Sequence, residues 1–273
     1  EGNFAYIAAS NDESLAIVDI TNPREPKEVA AITHGSGATL MQGPFGVDVE
    51  GDYAFVVATT SDAITAIDIS DPYTPVEVGT LNDGGGRHLN GPQDLVVSGR
   101  YAYVASSVEN GISIVDVSNP ASMSEVGGMT DGSEATEMAG AQGVAIAGNI
   151  LYVTASTDNA LTIVDVSDKT NPVELGVFDD GVAATSLAGA YDVVVSGRYA
   201  LVTAQTDNAL TLVDMGGLDA NNANIGSLLV GQLNIQGNGD VAGAFNADSF
   251  NANRALFGSL ALSEGLSIRA SST

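Results

Sequence analysis

GNFAYIAASNDESLAIVDITNP, residues 2–23, returns in register down the chain. The same frame reads GDYAFVVATTSDAITAIDISDP from Gly51 and GRYAYVASSVENGISIVDVSNP from Gly99, and it opens again as GNILYVTAS at Gly148 and GRYALVTAQ at Gly197. The leading glycines lie 49, 48, 49 and 49 residues apart, and Asp19, Asp68, Asp116, Asp165 and Asp214 keep the same beat at the end of a short apolar run. A unit of this length cannot bury its apolar faces alone, so copies must stack and share a core, as in a propeller or similar array.

Each copy divides into four short strands. In the second they are YAFVVA (53–58), ITAIDI (64–69), EVGTL (77–81) and QDLVVS (93–98), and no copy holds an apolar pattern of helical length. Val, Ile and Tyr dominate these runs without alternation, as expected of strands covered on both faces. NDES, TSDA, VENG, TDNA and TDNA join the first two strands and carry the Asn, Asp and Gly of tight hairpins. Pro23, Pro72 and Pro120 then close the second strand with a turn.

LAIVDITNP, ISIVDVSNP and LTIVDVSDKTNP resemble the LVIVD-repeat family of β-propellers, and the resemblance covers residues 2 to 215. It implies a blade signature and an extracytoplasmic or surface-attached setting, and it implies no catalytic residues. The fifth copy departs from the pattern, with LTLVDMGGLDANNANIG in place of the Ser-Asn-Pro turn. The fold expected is all-β. It is a β-propeller of five four-stranded blades over residues 1–230, or six with a blade from the tail, and a β-rich closing or stalk segment over 231–273.

Strand counting leaves one inner strand short, because five strands of the YAYVAS type are preceded by only four: FGVDVE, QDLVVS, QGVAIA and YDVVVS. Propellers remove such an edge by borrowing a strand from the far end of the chain. FNADSF (245–250) and GLSIRA (265–270) are the tail's candidates. The tail also resembles, in composition, the stalks of phage tail fibres and trimeric surface fibres. Its readings are therefore a closing strand, a worn sixth blade, or a segment that pairs across subunits of a homo-oligomer, filament or particle.

Of 273 residues, 34 are Asp or Glu and 8 are Lys or Arg, a formal charge of -26. A backbone-binding nucleic-acid protein needs the opposite sign, and an anionic membrane surface would repel this chain. No apolar run reaches the length of a membrane span, and the opening residues lack the basic and apolar regions of a signal peptide, so a soluble chain is expected. With no Cys, disulfides, thiolate metal sites and thiol nucleophiles are excluded together.

Candidate chemistry is sparse. His34 and His88 are the only imidazoles, both in loops between blades, and read as ordinary loop histidines. The recurring aspartates at strand ends read as caps of the following turns. The four inter-blade loops, THGSGATLMQGP, NDGGGRHLNGP, TDGSEATEMAGA and FDDGVAATSLAGA, belong to one face of the ring. There Asp83, Asp131, Asp179 and Asp180, beside Glu134 and Glu137, offer oxygen ligands for a hard cation such as calcium. The inner strands GVDVE, DLVVS, GVAIA and DVVVS bring Asp48, Asp94 and Asp192 but no acid and base of distinct environment. The reading is a non-catalytic extracellular or cell- or virion-surface protein that meets protein or glycan partners, without cofactor. Its alternative is a ligand-binding or enzymatic propeller with a site in the central channel.

Overall fold

The computed structural model describes residues 2–84, 86–133, 135–180 and 186–215, all in the first of the chain's two units, Glu1–Asp219. The domain boundary at 230 and every reading of the tail lie outside the described residues. Nineteen strands and one 3-10 turn, Pro120–Ser122, make up the regular structure that is described.

The strands form five sheets in chain order. The first is β1 (Phe4–Ala9), β2 (Ser14–Asp19) and β3 (Lys27–His34), antiparallel, with the two-residue β4 (Gly37–Ala38) parallel to β3. The second is β5 (Pro44–Glu50), β6 (Tyr53–Ala58), β7 (Ala63–Asp68) and β8 (Val76–Asn82). The third is β9 (Pro92–Ser98), β10 (Tyr101–Ser106), β11 (Gly111–Asp116) and β12 (Ser124–Thr130). The fourth is β13 (Ala141–Ala147), β14 (Ile150–Ala155), β15 (Ala160–Asp165) and β16 (Val173–Asp179). The fifth has β17 (Ala190–Ser196), β18 (Tyr199–Ala204) and β19 (Ala209–Asp214). Its expected fourth strand lies outside the described residues. As the strand count requires, no described strand precedes β1 in the first sheet.

Register repeats as strictly as sequence. The first hairpins pair Phe4 with Asp19, Tyr53 with Asp68, Tyr101 with Asp116, Ile150 with Asp165 and Tyr199 with Asp214. Each four-residue hairpin loop ends on a residue with positive φ: Glu13 (50°), Asp62 (47°), Asn110 (58°), Asn159 (57°) and Asn208 (53°). Asn and Asp tolerate that left-handed region better than other residues with a Cβ, which is why the loops read as they do.

The core is a series of apolar layers between consecutive sheets rather than one central mass. Leu15 and Ile17 of the first sheet meet Val56 and Ile67 of the second. Phe55, Val57 and Ile64 then meet Val104 and Val115 of the third. Tyr103, Ile112 and Ile114 meet Val153 and Val164 of the fourth. Tyr152 and Leu161 meet Val202 and Val213 of the fifth. Neighbours along one strand, such as Phe55 and Val56, thus face different sheets, so a strand between two sheets is apolar on both faces, with single buried Thr or Ser residues such as Thr65 and Ser113 among them. The inner strands β5, β9, β13 and β17 touch in turn. This is a β-propeller arrangement with one blade per sequence copy.

The blades approach so closely that side chains are excluded at set places. A Cβ on Gly79 of β8 would lie 2.2 Å from the Pro120 carbonyl oxygen, and one on Gly127 of β12 equally close to the Lys169 carbonyl. The glycine after Glu-Val in β8 and β12 is therefore a consequence of the next blade's turn, whereas β3 carries Ala30 at that place and a Cβ on Gly176 of β16 would meet nothing. Gly79→Ala should cost about 2 kcal/mol or more, read by chemical denaturation, because the clash is with backbone of the next blade and not with a movable side chain.

Candidate functional site

The strand-end aspartates act locally. Oδ1 of Asp19 accepts the Thr21 N–H at 2.8 Å, Asp68 that of Ser70 at 2.9 Å, Asp116 that of Ser118 at 3.0 Å and Asp165 that of Ser167 at 2.8 Å. These bonds start the turn after each second strand, so the reading of these residues as turn caps holds for four copies. In the fifth, Asp214 pairs with Arg198. Hydrogen bonds from the Ser118 side chain, then Arg100, hold the Asp116 carboxyl down at about 2.

Three further sets of polar groups, all acting at a distance in sequence, fasten the loops between blades. In the first, the hairpin residues Asp62, Asn110 and Asn159 accept through Oδ1 the N–H groups of Gly91, Gly140 and Gly189, at 2.8, 2.8 and 2.7 Å. In the second, residues at one equivalent loop position accept an N–H seven residues on: His34 Nδ1 from Met41 at 3.3 Å, Asp131 from Met138 at 3.2 Å and Asp180 from Leu187 at 3.3 Å. In the third, Glu77 takes the N–H and hydroxyl of Thr39 at 2.6 and 2.8 Å, and Glu174 takes those of Thr136 at 2.7 and 3.0 Å. Glu125 holds the same place with His88. Its Oε1 accepts the His88 N–H at 2.9 Å and the Ser113 hydroxyl at 2.8 Å and lies 3.0 Å from His88 Nδ1. His88 thus stands where two other blades use threonine. These glutamates were missed in the sequence, although Glu-Val-Gly at Glu77 and Glu125 and Glu-Leu-Gly at Glu174 marked them.

Asp83, Asp131 and Asp180 sit at equivalent positions of three different blades, each after a backbone bond to the residue 21 places earlier, Asp62, Asn110 and Asn159. These calcium candidates thus belong to loops of different blades, and the charges of both Asp131 and Asp179 reach Glu137. Asp179 and Asp180 alone line a cleft of about 410 Å³, with Glu137, Asp158 and Asn159. Burial, then the charges of Asp158 and Asp179, push the Glu137 carboxyl up. Among the described residues, no three or more His, Asp or Glu side chains are grouped to hold a metal ion.

On the inner strands, Asp48 accepts the N–H groups of Val49 and, from the next blade, Val97, at 2.8 and 2.7 Å. Asp94 accepts Val144 N–H, also of the next blade, at 3.0 Å, and Asp192 accepts Val193 N–H at 2.8 Å. Gly46, Asp94, Gly143 and Asp192 occupy one position of four successive inner strands. A Cβ on Gly46 would stand 2.9 Å from the Asp94 Cα, and one on Gly143 2.8 Å from the Asp192 Cα. Glycine and aspartate alternate because each glycine makes room for the backbone of the next blade's aspartate. Burial, above all, and the charges of Asp192 and Asp48 push the Asp94 carboxyl up to about 6.

A family model described as LVIVD repeat matches residues 1–33, 45–83, 92–131, 139–180 and 189–224. No curated protein matches the sequence. Among solved structures, a protein from Lactobacillus plantarum is similar at 18% identity and a TM-score of 0.62, over 78% of this chain and 67% of that one. A Bacteroides uniformis protein provisionally described as a 6-phosphogluconolactonase has 14% identity and a TM-score of 0.63, over 78% of this chain and 64% of its own. The periplasmic gluconolactonase of Pseudomonas aeruginosa has 15% identity and a TM-score of 0.60, over 79% and 68%. This chain thus spans 64–68% of the length of these structures, and at such identities the likeness is one of fold.

Two predictions follow from the hydrogen bonding. Asp94, raised above its ordinary 3.8, favours the protonated folded state, so its contribution is present below about pH 4 and lost as pH rises toward 6. Asp94→Asn, which keeps an acceptor for Val144, should leave stability at pH 4 unchanged and add about 1–2 kcal/mol at pH 7, after allowance for its partial exposure. His88→Thr should preserve thermal stability, whereas Glu125→Ala, which strands the buried Ser113 hydroxyl and a backbone N–H, should cost about 1–3 kcal/mol.

Proposed function

We propose, from the premise that this chain belongs to the LVIVD-repeat family, that it is a non-catalytic scaffold of an extracellular or particle surface. The propeller serves as a rigid head or spacer that meets protein or glycan partners and assembles with other copies. The observation that carries this reading is the occupation of the recurring polar side chains. His34, the strand-end aspartates of four copies, the hairpin Asp and Asn of three joints and the outer-strand glutamates all bond backbone N–H groups of the propeller itself. A catalytic group has to leave its reactive atom to a substrate in suitable geometry; these atoms are spent on loops.

The alternative is a ligand site at the central channel, and Asp48, Asp94 and Asp192 are what favours it. The lactonase descriptions of two similar folds invite a specific form of it. The charge argues against that form, because a phosphorylated sugar lactone is anionic and the inner strands present carboxylates without a basic partner among their described residues.

The test is turnover of gluconolactone and 6-phosphogluconolactone followed by acid release. The expected rate is that of buffer alone. Turnover that disappears in the double variant Asp94→Asn with Asp192→Asn, while the fold is retained, would establish the channel site instead.

A further inference from the structure

The four joints between blades share one apolar template. On the forward side of a joint stand two residues of the second strand: Leu15 and Ile17, Ile64 and Ala66, or Ile112 and Ile114, all fully buried, and in the fourth joint Leu161, fully buried, with Ile163, partly buried. On the backward side stands the fourth residue of the strand before it in the next blade: Val56, Val104, Val153 or Val202, again fully buried. By the same register, the forward residues of the fifth sheet are Leu210 and Leu212, and the backward residue of the first sheet is Ile7. These three are 66%, 60% and 48% exposed. Among the described strands, no strand of the first sheet packs extensively on one of the fifth.

The two open faces are thus the halves of a fifth joint. Leu212 holds the place of Ile17, and Ile7 that of Val56, which belong to one apolar layer in the first joint. Leu201, Thr203, Leu210 and Leu212 line one face, and Ala5, Ile7, Ala16 and Val18 the other; the carboxylates among them, Asp192 beside Thr203 and Glu28 beside Val18, hold the places of Asp94 and Glu77, which in other joints bond an N–H of the facing blade.

We propose that the forward face of the fifth sheet receives the first sheet of a second copy of this chain, through Leu210 and Leu212 against Ile7. The contact is head-to-tail, so both copies keep one open face and the association continues into a ring or a filament. This inference names the partner for the scaffold reading and rests on that reading for its purpose, while its geometry is independent of it.

The chain has no cysteine, so a pair can be introduced cleanly. Ile7→Cys with Leu212→Cys, treated with a short bis-maleimide, should give a ladder of linked copies on a denaturing gel. In sedimentation, the full chain should associate more strongly with added salt, because screening relieves repulsion between acidic copies. Leu210→Glu with Leu212→Glu should weaken association at least ~10-fold, equivalent to ~1.4 kcal/mol, with circular dichroism unchanged. A chain that stays monomeric at all salt concentrations, or a cysteine pair that links only within one chain, overturns the inference. Neither result bears on lactone turnover, so failure here is distinguishable from failure of the scaffold reading.

Discussion

A sheet covered on both faces has no solvent side, and that constraint organises this molecule. Ile64 and Ile67 sit three residues apart on one strand and are both fully buried, yet they pack in different layers. Neither layer exists without the neighbouring blade. Stability is therefore a property of joints, approximately a sum of blade and interface contributions. The period of 48 or 49 residues is set by the need to return the chain to the same place in the next joint.

Joints of this kind leave the connecting loops as the weak point, since loops must satisfy their backbone groups without a ladder of their own. The chain meets the need with short polar side chains at fixed offsets. A hairpin Asp or Asn reaches 29 or 30 residues forward to a glycine N–H, and an outer-strand Glu reaches 37 or 38 residues back to a loop Thr or His. The large acidic content thus has a structural account in part. Many carboxylates are acceptors for backbone N–H groups, for which lysine, a donor alone, is no substitute.

Much of the fold was legible because its determinants are local. The leading glycine, the hairpin ending in Asn or Asp and the strand-end Asp act within a few residues, so repetition exposed them. The candidate site was legible only in outline. Asp83, Asp131 and Asp180 read as members of one acidic loop face, whereas the bonds of Asp131 to the Met138 N–H and of Asp180 to the Leu187 N–H appear only in the structure. Glu77, Glu125 and Glu174 read as ordinary strand residues, since their partners are chosen by how the chain returns from one blade to the next. The alternation of Gly46, Asp94, Gly143 and Asp192 was present in the inner-strand strings and acquired a meaning only when the backbones were seen to touch.

The central claim is that recurring polar side chains hold loops to blades. Native-state hydrogen exchange tests it most directly, at the amides of Thr39, His88, Gly91, Thr136, Gly140 and Gly189. The account predicts protection approaching that of the adjoining strands, lost at Gly140 in Asn110→Ala and at Thr136 in Glu174→Ala. Exchange of these amides at the rate of an unstructured chain in the unaltered protein would contradict it.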